Sequence, residues 1–147
     1  GGLTHRLNKD DAKMIKENDL AVSGESGMQA IVQLLSTMDV NDCGAFLELE
    51  VTSEKDAIVA ATTWKQRQDE EQVPQLVLML DNFGPERSKE MVRELTDMGL
   101  RDAIVLEASG NIVFEDLEAW RECGVDVLST SAINRGTAPL DVSMLID

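Results

Sequence analysis

Two glutamates stand two residues apart inside an apolar run, Leu47-Glu48-Leu49-Glu50-Val51. Side chains of an extended strand alternate between its faces, so Glu48 and Glu50 share one side, with Phe46 beside them. A carboxylate taken out of water without a partner is costly, and two on one face cost more. The pair calls for a cation, a metal or a polyol ligand, unless the strand is an edge with one wet face. Three later apolar runs end in a similar way. Leu76–Leu80 leads into Asp81-Asn82, Ala103–Leu106 into Glu107-Ala108-Ser109-Gly110, and Val125–Leu128 into Ser129-Thr130-Ser131. Polar groups gathered at strand C-termini are where α/β sheets, open or closed, put their chemistry.

The elements that must carry these residues follow from periodicity. A short strand is expected over Ala12–Lys16, with Met14 and Lys16 on one face, then a loop from Asn18 to Glu25. Met28, Ile31, Leu34, Leu35 and Met38 recur at helical spacing, and Asn41–Gly44 reads as a turn before the glutamate strand. Ser53 and Asp56 resemble a capping box ahead of a helix through Ile58, Ala61 and Trp64. Arg67–Gln72 reads as a polar insertion closed by Pro74. Gly84-Pro85 opens a helix with proline at its favoured first position; Met91, Leu95 and Met98 point inward and Gly99 ends it. A further helix is expected from about Phe114 to Cys123, stopped by Gly124, and a mildly apolar tail after Gly136.

Strand and helix thus alternate, β-α-β-α-β-α-β-α-β, which means a parallel sheet with helices outside it. No glycine-rich dinucleotide fingerprint follows any strand. Inward-facing carboxylates on several strands suit a barrel interior better than an open doubly wound sheet. The expected fold is α/β: an incomplete, TIM-like parallel α/β barrel with its site at the strand C-termini.

Composition narrows the function classes. With 147 residues the chain is long enough for one domain and one core. No run approaches the roughly 18 to 20 apolar residues of a membrane span, and Gly1–Arg6 lacks the pattern of a signal peptide. A soluble, intracellular protein is expected. The net charge of -15 argues against nucleic-acid and anionic-membrane partners. The acid is spread rather than blocked, which raises a halophilic source. Cys43 and Cys123 lack metal-type spacing and read as reduced, partly buried thiols. His5 is the only histidine, so the composition argues against a zinc site and against a Ser-His-Asp triad.

Gly1-Gly2-x-x-His5-Arg6, Ile15-Lys16-x-Asn18, Leu47-Glu48-x-Glu50-Val51, Leu80-Asp81-Asn82-Phe83 and Leu106-Glu107-Ala108-Ser109-Gly110 occur in that order. With these motifs the chain resembles the quinolinate phosphoribosyltransferases, from Gly1 to about Leu145. Gly124-Val125-Asp126 through Ser129, then Leu140-Asp141, are similar to the family's closing strand and tail. The resemblance implies a cytoplasmic enzyme in which quinolinate's ring nitrogen attacks carbon 1 of phosphoribosyl pyrophosphate. Pyrophosphate leaves with Mg2+, the 2-carboxylate is lost as carbon dioxide, and nicotinate mononucleotide results, on the route to NAD. It also implies a homodimer or larger assembly. The family's N-terminal domain and first barrel strand do not precede Gly1, so residues 1–147 are expected to be a C-terminal barrel domain truncated at its N-terminus.

Roles carried over by the resemblance agree with the chemistry of the residues. His5 and Arg6 would grip the dicarboxylate, a task suited to a planar guanidinium. Lys16 would reach both carboxylate and phosphoribosyl groups. Glu50 and Asp81 would lie near the ribose hydroxyls and the Mg2+ of the pyrophosphate without ligating it directly, with Asn82 as a further contact. Ser109, Gly110, Ser131 and Arg135 would hold the 5'-phosphate at strand-to-helix turns. Glu48 and Glu107 match acids inside the barrel, expected to pair with lysine. The chain departs from the family's usual residues at Asp19, Ser131 and Arg135, which bears on the choice of base. A relative using another base such as nicotinate, and a non-catalytic phosphate-binding barrel, are the alternatives.

Overall fold

The computed structural model describes residues 2, 4–6, 8–21 and 27–135, apart from the side chains of Glu17, Ala21, Asn134 and Arg135. Five strands run parallel: β1 (Lys13–Ile15), β2 (Phe46–Val51), β3 (Gln75–Asp81), β4 (Ile104–Ser109) and β5 (Val127–Leu128). Between and after them lie α1 (Glu17–Ala21), α2 (Met28–Thr37), α3 (Glu54–Glu70), α4 (Gly84–Asp97), α5 (Leu117–Trp120) and α6 (Ala132–Arg135).

The strands sit side by side in chain order, β1-β2-β3-β4-β5. A doubly wound sheet reverses direction at a switch point; this one never does. Right-handed crossovers taken repeatedly in one direction put every connecting helix on the same face. The winding is that of an α/β barrel, present here as a five-stranded arc.

Packing agrees with that winding. Leu47, Leu49 and Val51 of β2, Leu76, Leu78 and Leu80 of β3, and Ile104 and Leu106 of β4 form one buried cluster with the helices. Against them lie Ile31 and Leu35 of α2, Ala57, Ala60, Ala61 and Trp64 of α3, and Met91 and Leu95 of α4. The small residues of α3 let its backbone approach the sheet, and the Trp64 indole N–H donates to the Pro74 carbonyl at 3.1 Å. By strand alternation the other face carries Glu48 and Glu50, then Val77, Met79 and Asp81, then Val105, Glu107 and Ser109. Cys43 and Cys123 are buried free thiols.

Several expectations need correction. The Asn18–Glu25 loop begins instead within α1, where Lys16 is the residue before the helix and Asp19 its third position. The Asp19 carboxylate accepts the Lys16 backbone N–H at 2.9 Å, the returning half of a capping box. Arg67–Gln72 is not an insertion: α3 continues to Glu70. Its polar residues bind distant carbonyls, Arg67 to Leu35 and Gln68 to Ala103, each at 2.9 Å. Met98 lies outside rather than inward, half-exposed where α4 has ended and Gly99 turns the chain at φ 70. The helix expected over Phe114–Cys123 is a 3-10 turn, Phe114–Asp116, followed by the four residues of α5. The last strand pairs over Val127–Leu128 alone. Before it, Asp126 gives its N–H to the Leu106 carbonyl at 2.9 Å, and its carboxylate takes the Leu106 N–H at 2.7 Å. The tail from Gly136, with Leu140-Asp141, falls outside the described residues.

Candidate active site

Glu48 sits at the centre of β2 with no exposed surface. Its neighbours in register are Met14 on β1 and Val77 on β3, neither of which offers a hydrogen. The His5 Nε2 approaches its Oε2 to 2.8 Å, an ion-pair distance. The other Glu48 oxygen, Oε1, has no hydrogen-bond partner among the described residues. Glu107, almost as deeply buried, reaches the same space from β4, and its Oε1 accepts from the Ser129 hydroxyl. Burial, reinforced by the Glu107 charge, pushes the Glu48 carboxyl above the usual carboxylate range, with His5 and Arg6 pulling the other way. Glu48 and Glu107 were expected to pair with lysine; among the described residues the contacts are with His5 and Ser129 instead.

One step further along β2, toward its C-terminal end, Lys16 Nζ lies 2.5 Å from Glu50 Oε2. Lys16 directly follows β1, so the two meet across adjacent strands. Half the lysine side chain remains exposed, whereas the glutamate is largely enclosed. The ammonium is thereby fixed at the mouth with donors to spare. Asp81 is on the same face at the end of β3, opposite Ser109 in register. Its Oδ2 accepts from the Asn82 amide at 2.9 Å.

Beyond Asp81 and Ser109 the chain makes a tight crossing. Asn82 has φ 57 and Asn111 φ 53, left-handed conformations that asparagine tolerates better than most residues. Asn82 N–H donates to the Ser109 carbonyl at 2.9 Å, and the Asn111 amide donates to Asn82 Oδ1 at 3.0 Å. Gly110, at φ 98, is required twice over: a Cβ there would stand 2.4 Å from Asn82 Oδ1 and 2.9 Å from its backbone nitrogen. Ser131 precedes α6, and the turn before it is held by Thr130, whose hydroxyl bonds the Ile112 carbonyl and accepts the Ala132 N–H at 3.0 Å. The Arg135 side chain lies outside the described residues.

Arg6 does not reach for open solvent. It donates to the Ala12 carbonyl at 2.9 Å and lies against the Met14 sulfur at 3.6 Å, which sets it beside β1. The structure therefore brings His5, Glu48 and Glu107 together, and Lys16 with Glu50. It places Asp81, Asn82, Ser109 and Gly110 at one corner of the same strand ends. Sequence reasoning missed Asn111 and Ser129 as partners of site residues. A serine-glycine-asparagine turn after a strand was the available signal for the first; nothing local signals the second.

Mg2+ prefers oxygen ligands and keeps several waters. Glu50 and Asp81 each commit one carboxylate oxygen to a neighbour and leave the other without a hydrogen-bond partner among the described residues. That hard, all-oxygen donor pair suits a hydrated Mg2+ carried in by a phosphate ligand.

The sequential winding of five parallel strands defines an α/β-barrel type of domain, with polar side chains gathered at its strand C-termini. The family model of the quinolinate phosphoribosyl transferase C-terminal domain matches residues 1–145, and the chain belongs to that family. It is 33% identical to a probable carboxylating nicotinate-nucleotide pyrophosphorylase of Methanothermobacter thermautotrophicus, over 99% of this chain and 47% of that protein. The corresponding protein of Archaeoglobus fulgidus is 34% identical over 99% of this chain and 50% of its own length. Among solved structures, the nicotinate-nucleotide pyrophosphorylase of Francisella tularensis superposes with a TM-score of 0.66 at 30% identity, covering 90% of this chain and 40% of that one. The chain spans about half the length of the curated relatives it matches. No helix among the described residues is long and apolar enough to cross a membrane.

Proposed function

We propose that this domain carries the chemistry of a cytoplasmic, homodimeric quinolinate phosphoribosyltransferase. The ring nitrogen of quinolinate forms a bond to carbon 1 of phosphoribosyl pyrophosphate as the bond from carbon 1 to pyrophosphate breaks. The bond to the 2-carboxylate then breaks; carbon dioxide departs, and the ring carbon takes up a proton. Nicotinate mononucleotide is the product.

The observation that carries this reading is the Lys16–Glu50 ion pair beside Asp81, on one face of the strand C-termini. An ammonium held in place can meet an anionic substrate without first being ordered, and a preorganised charge is worth more than a mobile one. Glu50 and Asp81 supply negative charge where positive charge builds on the ribose carbon. The Asn82–Ser109–Gly110 corner offers a glycine whose missing side chain lets a phosphate come near the backbone, with Ser131 and Arg135 contributing from the next turn. His5 and Arg6 grip the two carboxylates of the base. Mg2+, when bound with pyrophosphate near Glu50 and Asp81, supplies charge neutralisation to the leaving group.

Asp19 bears on the choice between quinolinate and another base. Its carboxylate is turned to the Lys16 backbone N–H, so it caps a helix rather than facing a second anion. This favours the dicarboxylate.

Three variants of the complete protein separate the roles. Arg6→Ala should raise the KM for quinolinate roughly tenfold to a hundredfold, the cost of a lost charged hydrogen bond. Asp81→Ala should lower kcat with a smaller effect on quinolinate binding. Lys16→Ala should damage both. Unchanged quinolinate affinity in a folded Arg6→Ala protein, checked by its melting temperature, would overturn the dicarboxylate assignment.

A further inference from the structure

We propose that Asn111 is a positioning residue: acting through the Asn82 side chain, it fixes the orientation of the Asp81 carboxylate at the end of β3. The inference rests on the role proposed for Asp81 beside the ribose carbon. Asn111 Nδ2 donates to Asn82 Oδ1 at 3.0 Å, and Asn82 Nδ2 donates to Asp81 Oδ2 at 2.9 Å. The two bonds form a line with a single polarity. An ionised carboxylate only accepts, so Asn82 must turn its NH2 group toward Asp81 and its carbonyl away. Whatever meets that carbonyl must donate, and Asn111 does. Hydrogen bonds in series polarise one another, so the outer donor strengthens the inner bond.

The surrounding corner holds this line in place. Asp81 and Ser109 are opposite in register, and the Asn82 N–H donates to the Ser109 carbonyl at 2.9 Å, which ties its backbone to β4. Gly110 leaves the space that the Asn82 amide occupies, since a Cβ there would stand 2.4 Å from Oδ1. Left-handed backbones, φ 57 at Asn82 and φ 53 at Asn111, favour asparagine, aspartate and glycine at both positions. Of those three, asparagine alone carries a side-chain donor. Asn82 was expected to contact substrate; instead it engages both the nitrogen and the oxygen of its amide within the protein. A carboxylate free to turn must be ordered at each turnover, whereas one already held presents its charge without that cost.

Steady-state kinetics of the complete protein with quinolinate, phosphoribosyl pyrophosphate and Mg2+, joined to 15N-resolved spectra, test the assignment. Asn111→Gly keeps the left-handed backbone and deletes the donor. It should lower kcat roughly threefold to tenfold and leave the KM for quinolinate within about twofold, as expected for one neutral hydrogen bond felt in the transition state. Asn111→Asp keeps the shape and should lower kcat further, because two oxygens then face each other. On an Asp81→Ala background, Asn111→Gly should lower kcat no more, since the two residues act in series. The Asn82 side-chain NH2 signal, identified by its loss in Asn82→Gly, should move in both Asn111→Gly and Asp81→Ala. A merely structural Asn111 would lower the melting temperature and leave the kcat of folded enzyme unchanged. That result, a loss that adds to that of Asp81→Ala, or an Asn82 signal indifferent to Asn111→Gly would overturn the proposal. An unsubstituted protein without quinolinate turnover, but with the Asn82 signal coupled in this way, would overturn the proposed function and support the amide line.

Discussion

Glu48 pays for its position, and the cost depends on pH. Its folded-state pKa is raised above the ordinary value of 4.5, first by burial and then by Glu107. Below pH 4.5 the group is protonated in both folded and unfolded chains and costs nothing as a charge. As pH rises through the folded value the native state must ionise a buried group, and stability is lost. Glu48→Gln should therefore raise stability near pH 8, with the gain shrinking toward pH 4.5. Urea midpoints at a series of pH values check this; a constant difference, or a loss, would contradict it. At this scale the sequence was partly legible. Glu48 and Glu50 share a face because strand alternation is local, and Asp81 and Ser109 were recognisable as strand ends. That Lys16 chooses Glu50 while Glu48 faces His5 was not legible, since both pairings depend on contacts 34 and 43 positions apart. Asp19, three residues after Lys16, has the spacing of a helix-capping residue, yet the polar run around it reads as a loop.

Among the elements, two turns carry distinct tests. Ser53 accepts the Asp56 N–H at 3.2 Å and so caps α3. Ser53→Ala should cost about 1 kcal/mol in chemical denaturation. Gly110→Ala should cost more, about 1–3 kcal/mol, because strain at φ 98 adds to a clash with Asn82. It should also weaken phosphoribosyl pyrophosphate binding, measured calorimetrically, where Ser53→Ala should not. Helices α2, α3 and α4 were legible because each buries apolar residues at helical spacing, and α3 and α4 also carry a start signal, the Ser53 cap and Pro85. The end of α3 was not: Arg67 and Gln68 look like insertion residues until their partners, Leu35 and Ala103, are known. Nor was α1, five residues held by the Asp19 cap and by Leu20 alone against the core, too short for a periodic stripe. The final strand was overestimated because Asp126 uses its side chain where a backbone bond would extend the ladder.

For the whole molecule, 28 acidic residues face 13 basic ones. Self-repulsion between exposed charges is screened once the Debye length falls to about 10 Å, near 0.1 M salt. The melting midpoint should rise with potassium chloride, by about 4 °C if screening returns 1 kcal/mol; a flat or falling series would count against it and against a halophilic origin. The parallel alternation was legible from the sequence, and the sequential strand order has the winding of a barrel. In the proposed function the mouth at the strand C-termini transfers phosphoribosyl to a pyridine dicarboxylate. The most direct measurement is product formation by the complete protein with phosphoribosyl pyrophosphate and Mg2+, given quinolinate or nicotinate. Nicotinate mononucleotide and equimolar carbon dioxide are expected from quinolinate, with little turnover of nicotinate. Turnover of nicotinate in preference to quinolinate, or of neither, would contradict it.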